Sequence, residues 1–266
     1  MKTNIKNLTK LTGLSKFVGE VANVAPPSSL PYVGENAFAH KGGTHVSALM
    51  KDTRTYEHID PSIVGNKRKV LISDLSGRAS IMEKLAELGI TADKSDSGRI
   101  TETIKELESK GYQFEGADAS FELLVMRMRG EFEPYFDITG FRLFIDEGAE
   151  KFTSEASIKI KNRDGEIEHT ASDGDGPVNA LDNALRKALS KFFPIIDDIR
   201  LSDYKVRVLD EKSATAATVR VLIRSTDGSD SWTTVGVSQN VIEASLIALV
   251  DSLEYAIMMN ERKTVK

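Results

Sequence analysis

Residues 167–189 read "IEHTASDGDGPVNALDNALRKAL", and residues 231–253 read "SWTTVGVSQNVIEASLIALVDSL". Each begins with apolar and polar residues in alternation, passes a polar turn, and continues with apolar residues every three or four positions. A period near two marks a half-buried strand and one near 3.6 an amphipathic helix, so each stretch is a strand feeding a helix. At an offset of 64, His169-Thr170 falls on Thr233-Thr234, Ala180 on Ala244, Ala184 on Ala248, Leu185 on Leu249 and Leu189 on Leu253.

Working upstream, "FRLFID" and "SEASIKIKN" precede the first copy, and "IRLSDYKVRVL" and "ATVRVLIRS" the second; all alternate. The second copy carries one extra residue where "RDGEI" becomes "TDGSDSW". Residues 136–266 therefore read as two βββα units in pseudo-symmetric tandem, with helices over 177–193 and 240–259. Two three-stranded sheets with one helix each leave open faces, which points to a dimer.

The first half is helical and irregular, so the fold class is α+β. Leu8, Leu11, Leu14, Phe17, Val18 and Val21 predict one amphipathic helix between Ile5 and Val24, ended by Pro26 and Pro27. Residues 28–66 show little periodicity, and irregular segments of such length are usually functional. Within 67–135, helices are predicted over 77–88, 98–110 and 117–129, the first two stopped by Gly89 and Gly111.

With 40% apolar and 28% charged residues the chain has the composition of a soluble globular protein, and a cytoplasmic one is the default expectation. A net charge of −5 gives no basic face for nucleic acid or an anionic membrane, and no apolar run approaches a bilayer span. The absence of cysteine excludes disulfides and thiolate chemistry.

"YVGENAFAHKGGTHVSALMKDTRTYEHIDP" (32–61) holds His40, His45 and His58 with Tyr32 and Tyr56. The histidines lack helical i, i+4 spacing, so a metal site is disfavoured. His45 and Tyr56 suit proton transfer or substrate positioning, and equally suit a polar surface. The Gly-rich "SDGDGPVNA" is either a strand-to-helix turn with Pro177 at the first helical position or an anion-binding helix start. No arrangement of nucleophile, base and acid is complete.

The stretch "LPYVGENAFAHKGGTHVSALMKDTRTYEHIDPSIVGNKRKVLISDLSGRASI" resembles the region after the catalytic barrel in citramalate synthases, a branch of the isopropylmalate/homocitrate synthase family. "SDGDGPVNALDNALRKAL" and "WTTVGVSQNVIEASLIALVDSLEYAI" look like the two halves of that family's regulatory domain. The resemblance implies an accessory helix at 1–25, a linker at 26–66, a helical subdomain at 67–135 and the regulatory domain at 136–266. It implies that acetyl-CoA and a divalent metal belong to a (β/α)₈ barrel, in cis or in trans, whose Arg-Asp-Gly and His-x-His signatures this sequence lacks. This chain alone is then expected to be inactive and to carry no cofactor.

By the same resemblance His45 assists proton transfer and Tyr56 orients the acyl donor in the partner subunit's site. The regulatory domain is implied to dimerise and bind isoleucine, with Leu201, Tyr204 and Val208 on one strand, Ala214 and Ala216 on the next, and Gly174, Gly176, Ser238 and Gln239 at the helix starts. A leucine-sensing isopropylmalate synthase fragment and a non-catalytic partner of a separate barrel are the alternatives.

Overall fold

The computed structural model describes the chain except residues 1–6, 23–26, 35, 42, 50, 72–80, 82–83, 87–93, 115, 148–151, 210–216 and 265–266. The chain divides into two compact units, residues 1–106 and 107–266.

In the first unit, a 3₁₀ turn at Leu8–Lys10 leads into helix α1 (Leu11–Val21), so the single helix expected between Ile5 and Val24 is shorter at both ends within the described residues. Strand β1 (Ala39–Lys41) pairs in parallel with β2 (Lys69–Leu71), and between them lie helix α2 (Gly43–Leu49) and 3₁₀ turns at Thr53–Thr55 and Pro61–Val64. Asp52 and Asp60 each cap the following turn through a backbone N–H two residues on. Thr12 donates to the Val64 carbonyl at 2.7 Å, and Gly65, at φ 70°, sits where a Cβ would meet the Thr9 carbonyl. Most of the helix expected over 77–88 lies outside the described residues.

Helix α3 (Lys94–Ser109) ends as the sequence predicts, with Gly111 left-handed at φ 105° and the Tyr112 N–H returning to the Leu107 carbonyl. Helix α4 (Asp118–Arg129), grouped from sequence with the helices before it, packs in the second unit against its last strand and last helix. Its apolar residues Ala119 and Leu123 join the core of that unit.

That core is the pseudo-symmetric domain. One antiparallel sheet runs β3 (Phe136–Glu147), β4 (Phe152–Asn162), β5 (Ile167–Gly174), followed by helix α5 (Pro177–Leu189). The other runs β6 (Arg200–Val208), β7 (Val219–Thr226), β8 (Ser231–Ser238), followed by helix α6 (Val241–Thr264). The residue pairs that align the copies, Ala180/Ala244, Ala184/Ala248, Leu185/Leu249 and Leu189/Leu253, are all buried. Thr170 donates to the Ala184 carbonyl at 2.8 Å and Thr234 to the Ala248 carbonyl at 2.7 Å, the same contact in each copy.

Helix α5 stops at Leu189 rather than 193, because Phe193 turns in against Tyr135 and Pro194 opens a 3₁₀ turn. Helix α6 runs five residues past the predicted 259, to Thr264. Among the described residues no helix is long and apolar enough to cross a membrane.

Candidate functional site

The residues expected from sequence to carry function lie in two separate places, one in each unit. In the first, α2 carries His45 and the turn after it presents Tyr56, and their rings lie 4.2 Å apart, tilted by 30°, with both residues exposed. Between Tyr56 and His58 sits Glu57, whose side chain is 3% exposed. Arg68 holds it with two bonds, Nε at 2.7 Å and Nη2 at 2.5 Å, and His40 Nε2 lies 3.0 Å away. The Arg68 guanidinium is the main cause holding the Glu57 carboxyl below its usual range.

This clamp ties β1, the Tyr56 turn and the approach to β2 together, so the exposed His45–Tyr56 pair stands on a fixed base. His58 faces Tyr32, with Nε2 3.4 Å from the phenol oxygen. Tyr32 is left-handed at φ 68°, an uncommon state for an aromatic residue, and Asn66 donates to its carbonyl and to that of Gly34, both at 2.9 Å. The three linker histidines thus have separate partners, and among the described residues no three His, Asp or Glu side chains converge as a metal site. The described residues do not fit a divalent ion. Sequence reasoning did not single out Glu57, Arg68 or Asn66; the partners lie 11 to 34 residues apart without a period to join them.

In the second unit, β6 is an edge strand. A bulge between Leu201 and Asp203 shifts its register so that Leu201, Tyr204, Val206 and Val208 all pair with inward-facing positions of β7. The last three of these are 37%, 45% and 49% exposed, and Leu201 is 37% exposed. The equivalent bulge in β3, between Ile138 and Gly140, puts Phe141, Leu143 and Ile145 on that sheet's inward side, with Phe141 40% and Ile145 57% exposed. Both edge strands therefore turn apolar side chains toward a core that covers them only in part.

Tyr204 reaches the start of α6, with its hydroxyl 2.8 Å from Ser245 Oγ. Ser245 Oγ itself donates to the Val241 carbonyl at 2.6 Å, which leaves Tyr204 as the donor of the pair. Gly174 ends β5, where a Cβ would lie 2.2 Å from the Ala180 nitrogen, and Gly176 caps α5 with no side-chain bond. At the α6 start, Ser238 accepts from the Asn240 N–H and Asn240 from the Ile242 N–H, so a ligand carboxylate would have to displace these caps; Gln239 lies between them. Ala214 and Ala216 fall outside the described residues.

This tandem is that of a regulatory domain. Residues 115–257 match the LeuA allosteric (dimerisation) domain, and residues 32–112 match the homocitrate synthase post-HMGL domain-like family. The chain belongs to the LeuA allosteric domain family, and over nearly its whole length it is homologous to citramalate synthases. It is 51% identical over 264 residues to the (R)-citramalate synthase of Aquifex aeolicus, covering 98% of this chain and 50% of that one. The (R)-citramalate synthase of Geobacter sulfurreducens is 52% identical over 258 residues, covering 96% and 49%. A probable 2-isopropylmalate synthase of Methanopyrus kandleri is 32% identical over 247 residues, covering 90% and 47%. The chain spans about half the length of the curated relatives it matches.

Proposed function

We propose that this chain is the linker and feedback-sensing portion of a citramalate synthase, the enzyme that condenses acetyl-CoA with pyruvate on the route to isoleucine. The observation that carries the sensing role is β6, whose apolar inward face is only partly covered while Tyr204 on it is tied to Ser245 near the start of α6. A branched aliphatic side chain suits the part-exposed apolar face around Tyr204, and the start of α5, where Gly176 makes no side-chain cap, suits its carboxylate. A second copy of the chain is the natural cover for the remaining apolar surface of β3 and β6, so the sensing form is a homodimer.

The linker serves a different site. His45 and Tyr56, stacked and exposed on their clamped base, lend a proton-transfer group and an orienting phenol to an active site whose metal and substrate ligands lie on a barrel. Isoleucine, as the end product of that route, is the effector this reading expects. Calorimetric titration of the purified chain with isoleucine, leucine and valine tests the reading. Saturable binding that prefers isoleucine supports it, a leucine preference moves the chain to an isopropylmalate-type sensor, and no binding by a folded dimer refutes the pocket.

A further inference from the structure

The α4–α6 contact in the regulatory unit is built largely of buried polar groups. Ser120, Glu122, Asp251 and Glu254 are between 1% and 8% exposed. Ser120 Oγ donates to Asp251 Oδ2 at 2.8 Å and accepts from the Val235 N–H of β8 at 3.0 Å. Arg127 Nη2 bridges Asp251 at 2.9 Å and Glu254 at 2.7 Å, while Glu254 also accepts the Tyr135 N–H. Glu122 accepts from the Tyr255 hydroxyl at 3.0 Å and from Arg262 at 2.5 Å.

Apolar side chains can slide over one another at little cost, but buried hydrogen-bonded pairs have steep geometry and leave a group unpaired when displaced. A displacement of α6 relative to α4 would therefore break or strain these bonds. At its other end the same helix receives Tyr204 from the sensing strand, through Ser245. A further attachment runs beside it. Arg220 of β7 donates to the Gly111 carbonyl at 2.6 Å and to Gln113 at 2.5 Å, and a Cβ on Gly111 would lie 2.4 Å from Leu209 Cδ1, the residue after β6.

We infer that α6 carries a change at β6 to the segment 111–129, entering at Tyr204–Ser245 and leaving through Ser120, Asp251 and Arg127, so that α4 is the output arm of the sensor. The inference rests on the effector reading for the natural input, and its test does not. Amide hydrogen exchange of residues 118–129 is measured in the ligand-free chain, in Tyr204→Phe, in Ser120→Ala and in the double variant.

Removing only the phenol hydroxyl should alter exchange in α4 by roughly fivefold, the low end of allosteric couplings. In the Ser120→Ala background the same substitution should alter it by less, because one of the exit contacts is gone. An equal change in both backgrounds, or no change in α4 in either, overturns the relay. Tyr204→Phe keeps the ring and Ser120→Ala keeps the helix, so both variants remain folded, and exchange in β4 and α5 serves as the internal control. Isoleucine is then added to the wild type. If it binds nowhere while the two substitutions couple, the effector reading fails and the relay stands.

Discussion

Arg127→Met measures how strongly the α4–α6 contact depends on one cation. The guanidinium touches Asp251 and Glu254, whose side chains are 11% and 2% exposed. Burial pushes both carboxyls above their usual range, and Arg127 pulls them back down. Breaking a buried pair by deleting one partner costs about 3–5 kcal/mol. Because Arg127 is itself 37% exposed, the low end applies, about 3 kcal/mol at neutral pH. For a unit of this size that lowers the melting temperature by roughly 6–12 °C.

The pH dependence has a definite sign. A carboxyl with a higher pKa folded than unfolded binds its proton more tightly in the folded state. Its contribution is fully present below the unfolded value, about 4, and is lost as pH rises through the folded one. Without Arg127 both folded values rise further, so the variant's deficit is largest near pH 7.5 and narrows toward pH 5. Thermal unfolding of wild type and Arg127→Met by circular dichroism at the two pH values reads this directly. A deficit below about 1 kcal/mol at pH 7.5, or one equal or larger at pH 5, would refute the reasoning.

An alanine Cβ at Gly236 would sit 2.0 Å from the Ala244 carbonyl oxygen, so Gly236→Ala must separate β8 from α6. A loss of about 2 kcal/mol in urea unfolding is expected, and a loss under about 0.5 kcal/mol would contradict that close approach. Thr170→Val and Thr234→Val remove matching contacts to the Ala184 and Ala248 carbonyls, so each should cost about 1 kcal/mol in the same assay; a large asymmetry would count against equivalent repeats. His45→Ala should leave stability within about 0.5 kcal/mol because the residue is exposed. In a full-length synthase carrying this segment the same change should lower kcat by about 100-fold or more, and full activity would remove His45 from the site.

The repeat was legible because strand and helix write different periods, and each copy confirmed the other. Thr170 and Thr234 look like ordinary strand residues, yet the offset of 64 places them at equivalent positions, where they make the same contact. The bulges at β3 and β6 were hidden, since Thr139 and Ser202 carry nothing to distinguish them from regular polar positions. Without the bulge, Leu201 and Tyr204 would face opposite sides of the sheet. Glu57 was hidden for another reason: its partners His40 and Arg68 lie 17 and 11 residues away across irregular chain, where no period relates them. Phe192 and Phe193 extended the apparent helical pattern of α5, although Phe193 leaves the helix to pack on Tyr135.

Isoleucine titrated into the ¹⁵N-labelled chain, followed by amide NMR, tests the sensing account most directly. Saturable shifts should be largest at 174–178, 201–208 and 238–245, and Tyr204→Ala should abolish them. Shifts confined to the linker at 26–66, or none at all from a folded protein, would contradict it.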